Sequence, residues 1–241
     1  MKERKFLCKE VHTERWGLIY EPDIDKHPHK GITNGHGNNA DWIEYGFLNG
    51  ELTSMQSTHH AVDRGERTQF TTENKVVLGD ILDELIKNNE QVNILEIGVG
   101  RSGEDSSSEV IVTKKRKDDI YVGVDNRPAH SKAYDKEDRN QFICTTDSAN
   151  VDTVVSFCND VGAGELNLIF IDGFHSVNQV LKEWEYVKLL AIGGYVGFHD
   201  TNFHPGPYCV FDAIDEKVFE KTKYCVDVEN DPGIGFARRI K

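Results

Sequence analysis

Two stretches of the chain close on the same pair of side chains. In "NLIFIDGFHSVNQV", residues 167–180, a run of branched apolar residues meets Asp172, with His175 three positions on. In "GGYVGFHDTN", residues 193–202, a second apolar run closes on His199 and Asp200. Carboxylates are hard oxygen ligands for a divalent cation, and imidazole is both a transition-metal ligand and a base that works near neutral pH. The Asp-Gly pair at 172–173 is also a hairpin signal, but a long amphipathic pattern follows it, which argues for a strand entering a helix. In an open parallel sheet, ligands bind beyond the carboxyl ends of the strands. If the two runs are neighbouring strands joined by that helix, Asp172 and Asp200 emerge at one edge, close enough to share a cation. His175 would then stand where a neutral imidazole could take a hydroxyl proton, or where it could cap the helix or bond Asp172, and the residues leave both roles open. Phe174 and Phe198 are expected to pack.

A second constellation lies upstream. "LEIGVGRSGEDSS" carries Gly98, Gly100 and Gly103 in G-x-G-x-x-G order between a strand and a helix, and Asp125 ends the next strand. Glycines there allow a sharp turn and a close approach to a ligand, and a carboxylate some 20 residues on can bond ribose hydroxyls. By itself the pattern fits a nicotinamide dehydrogenase as well as a domain binding S-adenosylmethionine. Glu96 lies two residues before the first glycine, where a pyrophosphate would be repelled and a cationic sulfonium or ammonium group would not.

The elements that must position these residues are legible from residue 74 onward as alternating helical and strand patterns, the signature of an α/β domain with a parallel sheet. Val77, Leu78, Ile81, Leu82, Leu85 and Ile86 recur at helical spacing and lead through "KNNEQ" into the strand "VNILEIG". The strands "IYVGVD" (120–125) and "QFICTTD" (141–147) follow, each closing on aspartate. Helices are predicted over 148–161, with Val151, Val154, Val155 and Cys158 on one face, and over 176–190, with Val177, Val180, Leu181, Trp184 and Val187 on one face. A helix around 208–220 precedes the strands "KYCVDV" and "GIGFARRI", with "ENDPG" as a tight turn between them. So short a link makes that last pair antiparallel. The first 65 to 70 residues, rich in Pro, Gly, Asn and His, lack periodicity. They are expected to form an irregular extension over residues 1–70, a lid or an oligomer contact, ahead of a catalytic domain over 71–241. Their scattered histidines could bind metal, which is the minority reading at that spacing.

The formal net charge of −13 argues against a broad grip on nucleic acid, although "KKRK" at 114–117 is a local basic run, more often a solvated helix end. No apolar run reaches the ~20 residues that cross a bilayer, and no secretion signal opens the chain, so a cytoplasmic protein with no membrane partner is expected. The five cysteines, widely spaced and without a C-x-x-C pair, suggest small buried apolar residues.

Taken in order, "LEIGVGRSG", "GVDNRP", "TTDSAN", "IDGFHSVNQVLKEWEYVKLLAIGGYVGFHDT" and the closing hairpin resemble the successive motifs of class I S-adenosylmethionine-dependent methyltransferases. The fourth and fifth blocks are most similar to the metal-dependent small-molecule O-methyltransferase branch, with its sugar and antibiotic-tailoring and cephalosporin-hydroxylase-like members. The resemblance covers residues 75–240 or so. It implies a Rossmann-like α/β fold whose mostly parallel seven-stranded sheet ends in an antiparallel hairpin, and a methyl transfer to a hydroxyl of a small polar acceptor; a homo-oligomer is one outcome open to the N-terminal segment, which the resemblance does not reach. It further implies that Glu96, Gly98 and Gly100 contact the amino acid part of S-adenosylmethionine, that Asp125 holds its ribose and that Asp147 lies near its adenine. Ser102, Asn126, Ser148 and Asp172 complete the implied cofactor contacts. The implied metal, Mg²⁺ or Mn²⁺, is held by Asp172 and Asp200 with one neighbour. Here the chain departs from the family: where some relatives carry a carboxylate or amide beside the second aspartate, it offers His199 on one side and Thr201 on the other. An imidazole ligand would tilt preference toward Mn²⁺ or another transition metal. An NAD-dependent oxidoreductase and a non-catalytic module that kept the fold are the competing readings.

Overall fold

The computed structural model describes residues 17–18, 47–48, 51–52, 70–99, 106–126, 140–175, 177–202, 204–226 and 231–241. Two short strands, β1 (Phe47–Leu48) and β2 (Glu51–Leu52), pair antiparallel on their own. The main sheet is built from β3 (Asn93–Ile97), β4 (Ile120–Asp125), β5 (Gln141–Thr145), β6 (Leu166–Ile171), β7 (Leu190–His199), β8 (Phe219–Tyr224) and β9 (Ile234–Arg239). Its order is β5-β4-β3-β6-β7-β9-β8. The first five of these are mutually parallel, while β9 runs antiparallel to both β7 and β8. Strand order reverses between β3 and β6, so the crevice at the carboxyl ends of those two strands is where this topology opens a ligand site.

Strands that read as continuous apolar runs do so because helices cover both faces. Side chains alternate along each strand. Leu95, Ile97, Val122, Val124, Ile169 and Ile171 pack on one side against Val154 and Cys158 of α3 (Val151–Asp160) and Val180, Leu181 and Trp184 of α4 (Val177–Trp184). Ile94, Tyr121, Leu168 and Phe170 pack on the other against Leu78, Leu82 and Leu85 of α1 (Thr72–Asn88) and Ile111 of α2 (Ser107–Lys114). Helix α1 starts where the Thr71 side chain accepts from Asn74 N at 3.2 Å, and α2 where Ser106 accepts from Glu109 N at 3.3 Å. Both are side-chain N-caps that satisfy donors the helix leaves open.

Five sequence expectations are corrected. The helix expected over 176–190 is α-helical only to Trp184 and tightens into a 3-10 turn over Glu185–Leu189, which brings Leu190 into the sheet. The helix expected around 208–220 is α5 (Pro205–Ala213). Pro205 starts it early, since proline suits a first helical turn. It stops short because Asp215 turns the chain, its side chain accepting from Lys217 N and its backbone N–H bonding Gly17 O. Strand β8 consequently begins at Phe219, before "KYCVDV", and the link to β9 is longer than a tight turn. The "KKRK" run is no free solvated end: the Arg116 guanidinium donates to Asp119 and to the carbonyls of Ile86 and Asn89, pinning the end of α1. The expected strand over 141–147 ends at Thr145, and Asp147 lies in the loop that follows.

Of the extension, Leu18 is buried in the core and bridges Ile214, and Phe70 is buried on the opposite face. The histidine-rich stretch, Trp16, Trp42 and Tyr45 lie outside the described residues. No described helix is long and apolar enough to cross a membrane. Cys144, Cys158 and Cys209 are buried thiols, as the sequence suggests.

Candidate active site

The crevice between β3 and β6 is closed at its floor by backbone. Gly98 N bonds Val124 O, and Asp172 N bonds Ile97 O, both at 2.9 Å. Gly98 takes φ +81°, and a Cβ there would stand 2.1 Å from the Asp172 carbonyl oxygen. Glycine is therefore required twice over, by the left-handed backbone and by the approach of the neighbouring strand end.

Asp172 follows the last residue of β6, and His199 closes β7 with Asp200 next, in adjacent parallel strands that pair Ile171 with Phe198. The expected juxtaposition is present. His199 Nδ1 lies 3.0 Å from Asp172 Oδ1 and 3.5 Å from Asp200 Oδ2. His175 Nε2 lies 3.5 Å from Asp172 Oδ1 and 3.4 Å from Asp200 Oδ2. A third imidazole, unforeseen from the sequence, completes the group: His204 Nε2 is 3.6 Å from Asp200 Oδ2, and its ring stacks on that of His175 with centroids 4.5 Å apart. Its signal was the spacing of four from Asp200 at a helix start. Phe198 packs beneath against Trp184, as expected of it.

Asp200 itself has a left-handed backbone, φ 60°, which aspartate tolerates better than most residues. Bonds around it enforce the conformation: Thr201 N to Gly233 O, Asn202 N to Pro232 O, and His204 N back to Asp200 O. The side chain of Thr201 is buried.

Burial raises the pKa of a carboxyl and lowers that of an imidazole. In this cluster mutual attraction overrides burial. His199 is held well above the ordinary histidine value by Asp172 and Asp200, and His175 is raised by Asp200 and Asp172. Asp172 and Asp200 are held below the ordinary carboxylate range, by His199 first in both cases. The buried Asp200 carboxylate and the half-buried Asp172 demand positive charge, which protons on the histidines or a bound cation can supply. The donors fit a cation. Asp200 Oδ1 and His175 Nε2 are buried without a hydrogen-bond partner among the described residues. Bonds of 2.0–2.2 Å place adjacent donors about 3.0 Å apart at right angles and about 3.4 Å apart in a tetrahedron, the spacing the cluster shows.

The cofactor-side residues are placed as follows. Asp125 ends β4 and Asn126 follows it, at the same sheet edge as Gly98. Glu96 is fully buried, its carboxyl accepting from Ser107 Oγ at 2.5 Å and from Tyr121 Oη, so it anchors the helix that follows the glycine loop. Asp147 accepts from Ala149 N, and Ser148 donates to Glu183 Oε1 at 2.6 Å, with Gln179 donating to both Ser148 and Glu183. Glu183 was not foreseen from the sequence. Gly100, Ser102 and Gly103 lie outside the described residues.

Neither a family model nor a curated protein matches the sequence. Solved structures do. An rRNA methylase from Streptococcus thermophilus, 12% identical, aligns over 68% of this chain and 95% of its own with a TM-score of 0.52. The fold is that of a class I methyltransferase. MycE of the mycinamycin biosynthetic pathway, in complex with Mg, SAH and mycinamycin VI, aligns over 68% of this chain at 13% identity and a TM-score of 0.48. This chain spans 54% of MycE's length. CalS11, a TDP-rhamnose 3'-O-methyltransferase in calicheamicin biosynthesis, is 13% identical over 70% of this chain and 81% of its own, with a TM-score of 0.48. At these identities the likeness is one of fold.

Proposed function

We propose that this chain is an S-adenosylmethionine-dependent methyltransferase that methylates a hydroxyl of a small polar acceptor, such as a sugar or secondary metabolite, with a divalent cation held by Asp172, His199 and Asp200. The observation that carries the reading is the shared wall between Gly98 and Asp172: the glycine turn and the cation cluster meet backbone to backbone at the β3/β6 crevice. A donor seated on the turn and an acceptor held at the cluster are thereby neighbours, which is the proximity that methyl transfer needs.

When bound, the cofactor supplies an electrophilic methyl on its sulfonium, and the cation lowers the pKa of the acceptor hydroxyl. The chain does the rest. Asp125 accepts hydrogen bonds from the ribose, with Gly98 and Asn126 around the remainder, and Asp147 and Ser148 bound the adenine end. Glu96 braces the loop from beneath. His175, supported by the stacked His204 ring, takes the hydroxyl proton at Nε2. Phe70, whose ring centroid is 5.0 Å from that of His199, keeps water off the buried side of the cluster. The fold-mate from Streptococcus is by name an enzyme of rRNA, but a net charge of −13 weighs against carrying an RNA acceptor over to this chain.

The test joins binding and turnover. Calorimetry should find tight S-adenosylhomocysteine binding and no NADH binding. Methyl transfer to small hydroxylated acceptors should fall with chelator and return with added Mg²⁺ or Mn²⁺. Asp172→Asn keeps the shape but removes a unit of charge, so metal affinity and rate should drop at least tenfold while cofactor affinity survives. Turnover indifferent to chelator would overturn the cation's part, and NADH binding in place of the methyl donor's product would overturn the whole reading.

A further inference from the structure

Behind His199 stands a chain of side chains whose chemistry leaves one arrangement. Asp231, in the loop between β8 and β9, is 9% exposed. Its carboxylate accepts from Thr71 Oγ1 at 2.8 Å, from Gly233 N at 2.7 Å and from Asn74 Nδ2 at 3.0 Å. A carboxylate only accepts, so the amino end of the Asn74 amide is the end that faces it. Asn74 is completely buried in the first turn of α1, and its oxygen therefore faces His199 Nε2 at 3.0 Å. An amide oxygen also only accepts. Nε2 must carry a hydrogen, and in the neutral imidazole Nδ1 is left with its lone pair. That lone pair points at Asp172 Oδ1, 3.0 Å away, and toward Asp200 Oδ2, 3.5 Å away. Facing two carboxylate oxygens it is repelled, unless a proton or a metal cation lies between them, and with Nε2 already bonded to Asn74 the two compete for this one nitrogen.

We propose that Asp231 and Asn74 are positioning residues that fix His199 as a nitrogen ligand through Nδ1, and that the centre thereby prefers a divalent transition metal of the Mn²⁺ or Co²⁺ class over Mg²⁺. The inference rests on the cation site of the proposed function and names the selectivity of that site. An imidazole donor is better suited to first-row transition ions than to magnesium, which takes oxygen. The His204 nitrogen, 3.6 Å from Asp200 Oδ2, offers a second donor of the same kind. A hydrogen-bond acceptor behind a ligating imidazole sets the tautomer and raises the basicity of the ligand, and removing such a partner costs 10–100-fold in metal affinity. The pairing also explains why a carboxylate 157 residues from Asn74 in sequence is buried beside it.

The experiment titrates the full chain with MnCl₂, CoCl₂ and MgCl₂ by calorimetry, and records the electron spin echo modulation of bound Mn²⁺ for coupling to ¹⁴N. Wild type should bind Mn²⁺ and Co²⁺ at least tenfold more tightly than Mg²⁺ and show nitrogen coupling. Asn74→Ala, and independently Asp231→Asn, which frees the Asn74 amide to turn over, should weaken Mn²⁺ binding about 10–100-fold. Both should weaken or abolish the nitrogen coupling and change Mg²⁺ affinity far less. Circular dichroism confirms that each variant is folded, and if one is not, the other variant and the wild-type spectrum decide. Equal or tighter Mg²⁺ binding, no nitrogen coupling in wild type, or folded variants with Mn²⁺ affinity within twofold of wild type would each overturn the inference. S-adenosylhomocysteine binding, measured alongside, keeps the two claims apart: nitrogen-coupled Mn²⁺ without it upholds the positioning pair and sinks methyl transfer.

Discussion

Glu96 and Glu183 are carboxyl groups that burial holds toward the protonated form. Burial, opposed by the hydroxyls of Ser107 and Tyr121, pushes Glu96 up to about 7; burial, opposed by Ser148 and Gln179, pushes Glu183 up to about 7. Glu183 Oε2 has no hydrogen-bond partner among the described residues. A carboxyl whose folded pKa is raised binds its proton more tightly in the folded chain than in the unfolded one. Stability therefore falls as pH climbs from the usual 4.5 toward about 7 and levels off above that. Glu183→Gln removes the ionisation and keeps the bonds to Ser148 and Gln179. Urea denaturation should find the variant more stable than wild type at pH 8, by up to about 3 kcal/mol, and nearly equal at pH 4.5. A difference independent of pH would show that Glu183 is charged throughout. At this scale, the sequence discloses what lies at strand ends. Asp172, His199 and Asp200 were legible because each unbroken apolar run, read as a buried strand, points at its own terminus. His175 was legible three residues on. Asn74 and Asp231 were not, because their meeting is a consequence of the folded sheet and no local spacing encodes it.

Among the elements, the β3 and β6 ends are locked together by the approach of Gly98 to the Asp172 carbonyl. Gly98→Ala puts a Cβ at 2.1 Å from that oxygen in a left-handed backbone. The strain alone costs about 1–3 kcal/mol, and the clash forces the strand ends apart. Thermal melts should show a drop of several degrees, and cofactor and metal affinity should fall together, since one displacement disturbs both. Loss of cofactor affinity alone, with metal binding intact, would separate the two sites. Elements with uninterrupted periodicity, such as α1 and β3–β7, were legible in type and order. Boundaries were not, where tertiary demands overrode the pattern. The 3-10 turn after Trp184 exists to deliver Leu190 to the sheet, and α5 stops at Ala213 because Asp215 bonds Gly17, a partner 198 residues earlier that no window around 215 contains.

For the molecule as a whole, Leu18 and Phe70, which lie ahead of the sheet in the chain, are part of the core. Leu18 is 1% exposed among residues of α5 and β8, and its neighbour Gly17 bonds Asp215. Leu18→Ala should cost about 2–5 kcal/mol in urea unfolding, the range for a buried leucine deleted to a cavity. A cost below ~0.5 kcal/mol would mean that this segment folds and unfolds apart from the sheet. The composition of residues 1–70 pointed to irregular structure, yet where such a segment docks is invisible to periodicity, because a single apolar side chain carries no period. The position of β9 has a further consequence, for the order of events during synthesis. This strand follows β8 in the chain but lies inside the sheet, between β7 and β8. Until it leaves the ribosome, β7 presents an unpaired edge, with His199 waiting for Ile234 and Asn74 for Asp231. Such an edge is a template for pairing with other chains. A nascent chain halted before Asp231 would thus carry Asp172 and Asp200 with the β7 edge unpaired, and would still lack the partner that orients Asn74.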